Sequence, residues 1–142
     1  MKKMPAAFTM IELIFVIVVL GILAAVALPK LTGSVEDAYI SKAQSHVSVI
    51  RSGLQNYRSK SLLKGNGVSY PDLNTSTLFS NVMDNGAPTG SNAGEWSYDA
   101  GTNKFIFHAG NHNIYFDYNK NTGKFTCDTT NTHPSSLCDR FE

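Results

Sequence analysis

Residues 8–28 read Phe8-Thr9-Met10-Ile11-Glu12-Leu13-Ile14-Phe15-Val16-Ile17-Val18-Val19-Leu20-Gly21-Ile22-Leu23-Ala24-Ala25-Val26-Ala27-Leu28, an apolar run of 21 residues with one ionisable group, Glu12. As an α-helix it spans roughly 31 Å at about 1.5 Å per residue, matching a bilayer core of about 30 Å. Lys2 and Lys3 stand in front of it. The positive-inside rule then keeps the N-terminus in the cytoplasm and exports everything after Leu28.

Three readings of this run compete: a plain membrane anchor, a secretory signal, and a segment cut on its cytoplasmic side that stays attached. Ala25-Val26-Ala27 has the small-x-small form that ends a secretory signal. Pro29 follows two residues later and makes that cut unattractive. Glu12 separates the readings further. An acidic residue costs on the order of 2.5–3.5 kcal/mol at the centre of a membrane helix and less near an end. Neither an anchor nor a secretory signal needs it. A cut after Ala7 supplies a partner, the new α-amino group of Phe8, whose reference pKa of about 7.7–8.0 leaves it largely cationic near neutral pH.

Ala7-Phe8-Thr9-Met10-Ile11-Glu12-Leu13-Ile14, followed by Gly21-Ile22-Leu23-Ala24-Ala25 and Pro29, closely resembles the leader and first helix of type IV pilins and type II secretion pseudopilins. The resemblance is strong over about residues 1–35 and is one of pattern only to about residue 63. It implies cleavage by a prepilin peptidase between Ala7 and Phe8, N-methylation of Phe8, and filament assembly through this helix. It also implies that Glu12 pairs with the Phe8 amine of a neighbouring subunit. One residue departs from the pattern: Ala7 stands before the cut, where the family usually has glycine. Alanine is the next smallest side chain, so a site that needs a small residue still accepts it.

Beyond the run the helix is expected to continue to residue 63, about 80 Å if unbroken from Phe8 at about 1.5 Å per residue. Pro29 lacks a backbone donor and crowds the preceding turn, so a kink is expected between Gly21 and Pro29. Val35, Tyr39, Ala43, Val47, Ile50, Leu54 and Tyr57 recur at steps of three and four, which makes one apolar stripe. Gly65-Asn66-Gly67 ends the helix. Residues 65–93 form a polar connection with one short turn at Ser76–Met83, and Tyr70-Pro71 weakly resembles the segment after the long helix of major pseudopilins. Glu95–Asp99, Lys104–Ala109, Asn113–Tyr118 and Lys124–Cys127 read as strands from their aromatic and β-branched alternation. The turn residues between them predict an antiparallel meander. The tail from Asp128 to Glu142 reads as loop.

The fold class is therefore α+β: a long N-terminal helix packed on a three- to four-stranded antiparallel sheet. The organisation is a leader (1–7), a transmembrane or filament-core helix (8–28), an amphipathic continuation (29–63) and a periplasmic globular domain (64–142). Cys127 and Cys138 are the two cysteines. An even pair closing a short loop outside the cytoplasm reads as a disulfide, contributing roughly 3 kcal/mol by the chain-entropy estimate.

The net charge of +1 gives no basic surface, and without residues 1–7 the ten remaining Lys and Arg face 11 acidic residues. Nucleic acid is not an expected partner. Enzyme chemistry has little to stand on. His46, His108, His112 and His133 are scattered; His108 and His112 flank a tight turn, but a metal there would need a third ligand. Ser135 and Ser136 lack a nucleophile-elbow pattern, and no nucleotide-binding motif is present. No cofactor is expected. Calcium is the alternative carried for Asp117, Asn119 and Asn121, oxygen side chains at alternate positions ahead of Gly123, with Asp128 in place of the usual closing glutamate. Calcium binding in the C-terminal loops of major pseudopilins adds to that alternative. The aromatic residues of the meander read as core rather than as a base-stacking surface.

The function expected is a structural subunit of a type II secretion pseudopilus or a type IV pilus. Its partners would be further copies of itself, other pilin-like subunits, the prepilin peptidase and an inner-membrane assembly platform. The alternatives are a filament-tip module binding DNA or a secreted substrate, and a simple membrane-anchored periplasmic protein. Opposite charges in lipid are tolerable as a matched pair and costly singly. Glu12→Val is therefore expected to leave membrane insertion intact and impair filament assembly; normal filament yield from the variant would count against the pairing.

Overall fold

The computed structural model describes residues 8–142, with the side chains of residues 28–34 outside the description. The leader and its Ala7 boundary thus lie outside the described residues. Helix α1 covers Met10–Leu63 and its backbone remains helical through Pro29. The chain divides into two compact units, Met1–Val35 and Glu36–Glu142.

Thr9 and Glu12 build the start of α1. The Thr9 hydroxyl accepts from the Glu12 amide at 3.3 Å, and Glu12 Oε2 accepts from the Thr9 amide at 3.1 Å. This reciprocal pair is a capping box, which satisfies two of the donors that a helix start leaves free. The other end is closed by glycine. Gly65 takes φ +77°, its amide donates to Leu62 O at 3.0 Å, and Asn66 N donates to Ser61 O at 3.1 Å. Those two bonds are a Schellman closure, which needs the left-handed residue that glycine supplies without strain.

Four strands follow: β1 (Trp96–Asp99), β2 (Lys104–Ala109), β3 (His112–Asn119) and β4 (Lys124–Cys127). They form one antiparallel sheet in sequence order. The register sets Trp96 against Phe107 and Phe107 against Ile114. It also sets Phe105 against Phe116 and Phe116 against Cys127. Because side chains alternate across a strand, this register puts the large apolar residues on one face. Trp96, Phe107, Ile114 and Phe116 are fully buried.

The helix stripe that meets this face differs from the expected one at four positions. Ile40, Ala43, Val47, Ile50 and Leu54 are buried, whereas Val35 and Tyr57 are exposed and Tyr39 is half-buried. Periodicity alone gives the stripe its direction. Which turns of it are covered depends on how far the sheet and the connecting loop reach, and Ile40 enters because the covered stripe is broader than one residue.

The connection between α1 and β1 is part of the core. Leu73, Leu78 and Phe79 are buried, with turns over residues 78–82. Phe79 has φ +64°, a strained conformation for a bulky residue. Its ring lies 5.0 Å from both Trp96 and Phe105, and its amide donates to Leu73 O at 2.9 Å. Aromatic pairs at this spacing contribute about 0.5–1.5 kcal/mol each beyond burial, enough to hold one strained residue. The tail, expected as loop, contains a 3-10 helix at Ser135–Phe141 that buries Cys138 and Phe141. Cys127 and Cys138 are joined by a disulfide with a Cα–Cα separation of 5.4 Å. That link ties the 3-10 helix to β4, and Phe141 meets Phe116 edge-on at 5.2 Å. The signal is too short for periodicity to reveal, since seven residues bury only two side chains.

Gly123, in the β3–β4 turn, has φ +68°, and a Cβ there would fall 2.1 Å from Tyr70 Cε1. The turn therefore seats its backbone on the Tyr70 ring. Gly123→Ala is expected to destabilise the unit by about 2 kcal/mol or more, from left-handed strain and overpacking together; denaturant unfolding of residues 36–142 measures it.

His46 provides a second check. Trp96 Nε1 donates to His46 Nδ1 at 2.9 Å, which requires that nitrogen to be unprotonated. Burial, and then the nearby Lys42 charge, hold the His46 pKa below its ordinary value. Its contribution is therefore complete above the unfolded-state pKa of about 6.5 and is lost as pH falls from there toward the folded-state value. The unfolding midpoint is expected to drop between pH 7.5 and 5, and His46→Gln, which keeps an acceptor without the charge, should flatten that drop.

Candidate functional site: the apolar helix and its lone carboxylate

The first part of α1 is apolar on every side. Met10–Ala27 has a mean hydropathy of 2.9 over 18 residues, and none of that window is buried in the chain. Phe8 is 86% exposed and Ile11 72%. A helix hydrophobic all round must be covered, by lipid or by other helices, because isolated exposure to water is unfavourable across its whole surface. By length and composition this one can cross a membrane.

Glu12 sits within the first turn of this helix. The Thr9 hydroxyl also donates to Glu12 Oε2, at 3.0 Å, so one carboxylate oxygen gathers both Thr9 donors. The arrangement places the carboxylate at the helix N-terminus, where the macrodipole favours negative charge. It lies four residues from Phe8, on the side where a cut after Ala7 would create an amine. The sequence reading named Glu12 but missed Thr9. The signal was present as Thr-x-x-Glu ahead of an apolar run. Gly21 has nothing within 4 Å of where a Cβ would stand, and among the described residues no contact requires a glycine there.

The candidate metal residues are brought together only in part. Lys104 Nζ donates to Asp117 Oδ1 at 2.8 Å and lies 2.7 Å from Asp128 Oδ2. The ammonium therefore stands between the two carboxylates, where a cation would stand. Burial pushes the Asp128 carboxyl up, but Lys104, the Asn131 amide and the Thr130 N–H more than offset it and hold it well below the usual carboxylate range. Asn119 Oδ1 is engaged as a turn acceptor for the Asn121 amide at 2.9 Å. A calcium ion at Asp117 and Asp128 would have to displace Lys104. Among the described residues, no group of three or more His, Cys, Asp or Glu is placed to hold a metal.

The histidines do not converge either. His112 pairs with Glu36 at 2.9 Å. His108, one position from facing it in the β2–β3 register, lies on the opposite face of the sheet, so the two histidines that flank the turn do not meet. His108 instead joins Ser97 Oγ at 2.9 Å and Asn113 Oδ1 at 2.8 Å. Serine, histidine and asparagine in this order match the bonding of a nucleophile, a base and an orienting group. Acyl transfer also requires donors aimed at a developing oxyanion. The nearby amides are committed: Gly94 N donates to His108 O, and His108 N to Glu95 O at 3.0 Å. The three side chains sit on three neighbouring strands and fasten the outer face of the sheet.

Comparison with known proteins bears on the same N-terminal segment. Residues 2–28 match the family described as the prokaryotic N-terminal methylation motif. The chain is 39% identical over 57 residues to the type II secretion system core protein G of Aeromonas hydrophila, covering 40% of each protein. It is 38% identical over 58 residues to the protein of the same name from Dickeya chrysanthemi, covering 41% of this chain and 38% of the relative. It is 33% identical over 55 residues to the type IV major fimbrial protein FimA of Dichelobacter nodosus, covering 39% of this chain and 35% of the relative. These matches thus span about two fifths of the relatives' length. No solved structure gives a significant match. With a methylation motif at residues 2–28 and likeness to both secretion-system and fimbrial subunits, the N-terminal segment of the chain is similar to that of type IV pilin-like proteins.

Proposed function

We propose that this chain is a structural subunit of a type II secretion pseudopilus or a type IV pilus, processed between Ala7 and Phe8 and assembled through its N-terminal helix. One observation carries the reading: the Met10–Ala27 window is apolar, wholly uncovered in the chain, and carries a single carboxylate, Glu12, in its first turn. Before assembly, lipid covers such a helix. Within a filament, the same helices of neighbouring copies cover it. Helix association in lipid gains little from hydrophobicity and depends on packing and polar pairing. A carboxylate and a cationic chain end at a fixed depth therefore select one stagger between neighbours.

The capping box fits this role. It holds Glu12 at the helix end with one oxygen engaged by Thr9, which leaves the second oxygen to meet a neighbour's Phe8 amine. The globular unit would then face the periplasm, on the trans side of the positively flanked run. The pseudopilin reading is placed first, on the lean globular part and the Tyr70-Pro71 segment; the disulfide loop is the feature shared with pilins used at the cell surface.

The mature N-terminus tests the processed-subunit reading, shared by pseudopilin and pilin, against the secretory-signal and plain-anchor readings. Mass spectrometry of the protein from the cell envelope is expected to find a chain beginning at N-methyl-Phe8. A chain beginning at Leu28, or one retaining residues 1–7, would overturn the assignment.

A further inference from the structure

Asp72-Leu73-Asn74-Thr75-Ser76 contains an Asn-x-Ser acceptor with threonine, not proline, at its centre. Among the twelve asparagines of the chain, Asn74 alone has serine or threonine two residues on. The segment lies in the unit that the proposed function exports, and the inference rests on that reading.

The fold presents this segment outward. Leu73 and Leu78 are buried and anchor its two ends, and Phe79 N closes onto Leu73 O at 2.9 Å. Asn74 and Ser76 between them are exposed, in irregular backbone outside every helix and strand. Thr75 is engaged internally, donating to Thr77 O at 2.6 Å and sharing a 2.8 Å bond with Ser80. Among the described residues, no side-chain hydrogen bond engages Asn74 or Ser76, the two groups an acceptor site must offer. A loop pinned at both ends bulges at the point where a transferase must grip it, and it leaves the core undisturbed.

A second observation concerns the surface beside it. Asn74 lines a cleft of about 290 Å³ with Asp72, Tyr98, Asn103, Tyr118 and Lys120. The Lys120 ammonium meets Asp72 at 2.8 Å on its rim, and Tyr118 OH donates to Pro71 O at 2.7 Å. Tyrosine rings with amide, carboxylate and ammonium groups are the mixture that suits a hydroxyl-rich ring, which offers apolar faces and polar edges. The volume lies at the lower limit of small-molecule sites, about 300 Å³, a scale for one sugar ring.

We propose that Asn74 is an N-glycosylation site whose first sugar ring lies over this cleft. In the transfer, Asn74 Nδ2 forms a bond to the anomeric carbon of a sugar carried on a lipid diphosphate. The bond from that carbon to the diphosphate oxygen breaks, the amide gives up one proton, and the lipid diphosphate leaves with the electron pair. No oxidant or reductant enters. The carbohydrate would cover part of the globular surface.

The test is the mass of the full chain purified from its native envelope, with the tryptic peptide Gly65–Lys104 examined separately. The expected result is a glycan increment on that peptide, lost in Asn74→Gln and Ser76→Ala and retained in Ser76→Thr. A chain processed at Phe8 whose peptide has its unmodified mass would overturn the glycan and leave the filament reading standing. An increment that persists in Asn74→Gln would overturn the site. A chain that still carries residues 1–7 would overturn the filament reading alone, since the positively flanked run exports the globular unit whether or not it is cut, and the Gly65–Lys104 peptide would still decide the glycan.

Discussion

A helix that is apolar around its whole circumference cannot remain as it stands in this chain. The window Met10–Ala27 has no side of its own that another part of the described protein covers. That requirement for external cover separates the first unit from the second. Residues 36–142 bury their apolar residues internally, through Ile40, Val47, Ile50 and Leu54 on the helix and the aromatic face of the sheet. One unit meets its hydrophobic requirement within the chain, and the other must meet it outside.

Polar side chains are handled alike in both units: each of the following is given a hydrogen-bonding partner. Lys104 joins Asp117 and the buried Asp128. His46 accepts from the indole of a fully buried Trp96. Glu12 is held by Thr9. Among the described residues no buried side-chain nitrogen or oxygen lacks a hydrogen-bond partner. The pairing matters for stability, because a buried polar group left unpaired costs about 1–3 kcal/mol. The same economy explains why residue types familiar from catalysis, such as Ser97, His108 and Asn113, serve here as cross-strand fasteners.

Much of this was legible in the sequence. The apolar run, the four strands and the terminating glycine pair follow from local periodicity and turn chemistry, which act over a few residues. The cysteine pair was legible because two cysteines close in sequence have one possible partner each, and the structure joins them. The capping box is equally local, written as Thr9-x-x-Glu12 ahead of the apolar run. The 3-10 helix at Ser135–Phe141, the strained Phe79 and the seating of Gly123 on Tyr70 were not legible. Each of these depends on a contact between residues far apart in the chain, and the local sequence carries no trace of the partner.

The sequence by itself therefore determined the class of each segment: an apolar helix with an acid in its first turn, an amphipathic continuation and an antiparallel meander. Those follow from side-chain periodicity and from the conformations open to glycine, proline and asparagine. Tertiary structure alone decided what the polar side chains do. Lys104 lies between Asp117 and Asp128, and His108 and His112 fall on opposite faces of the sheet with different partners. Strand register and the fold of the loops set those meetings, and they are products of packing the whole unit at once.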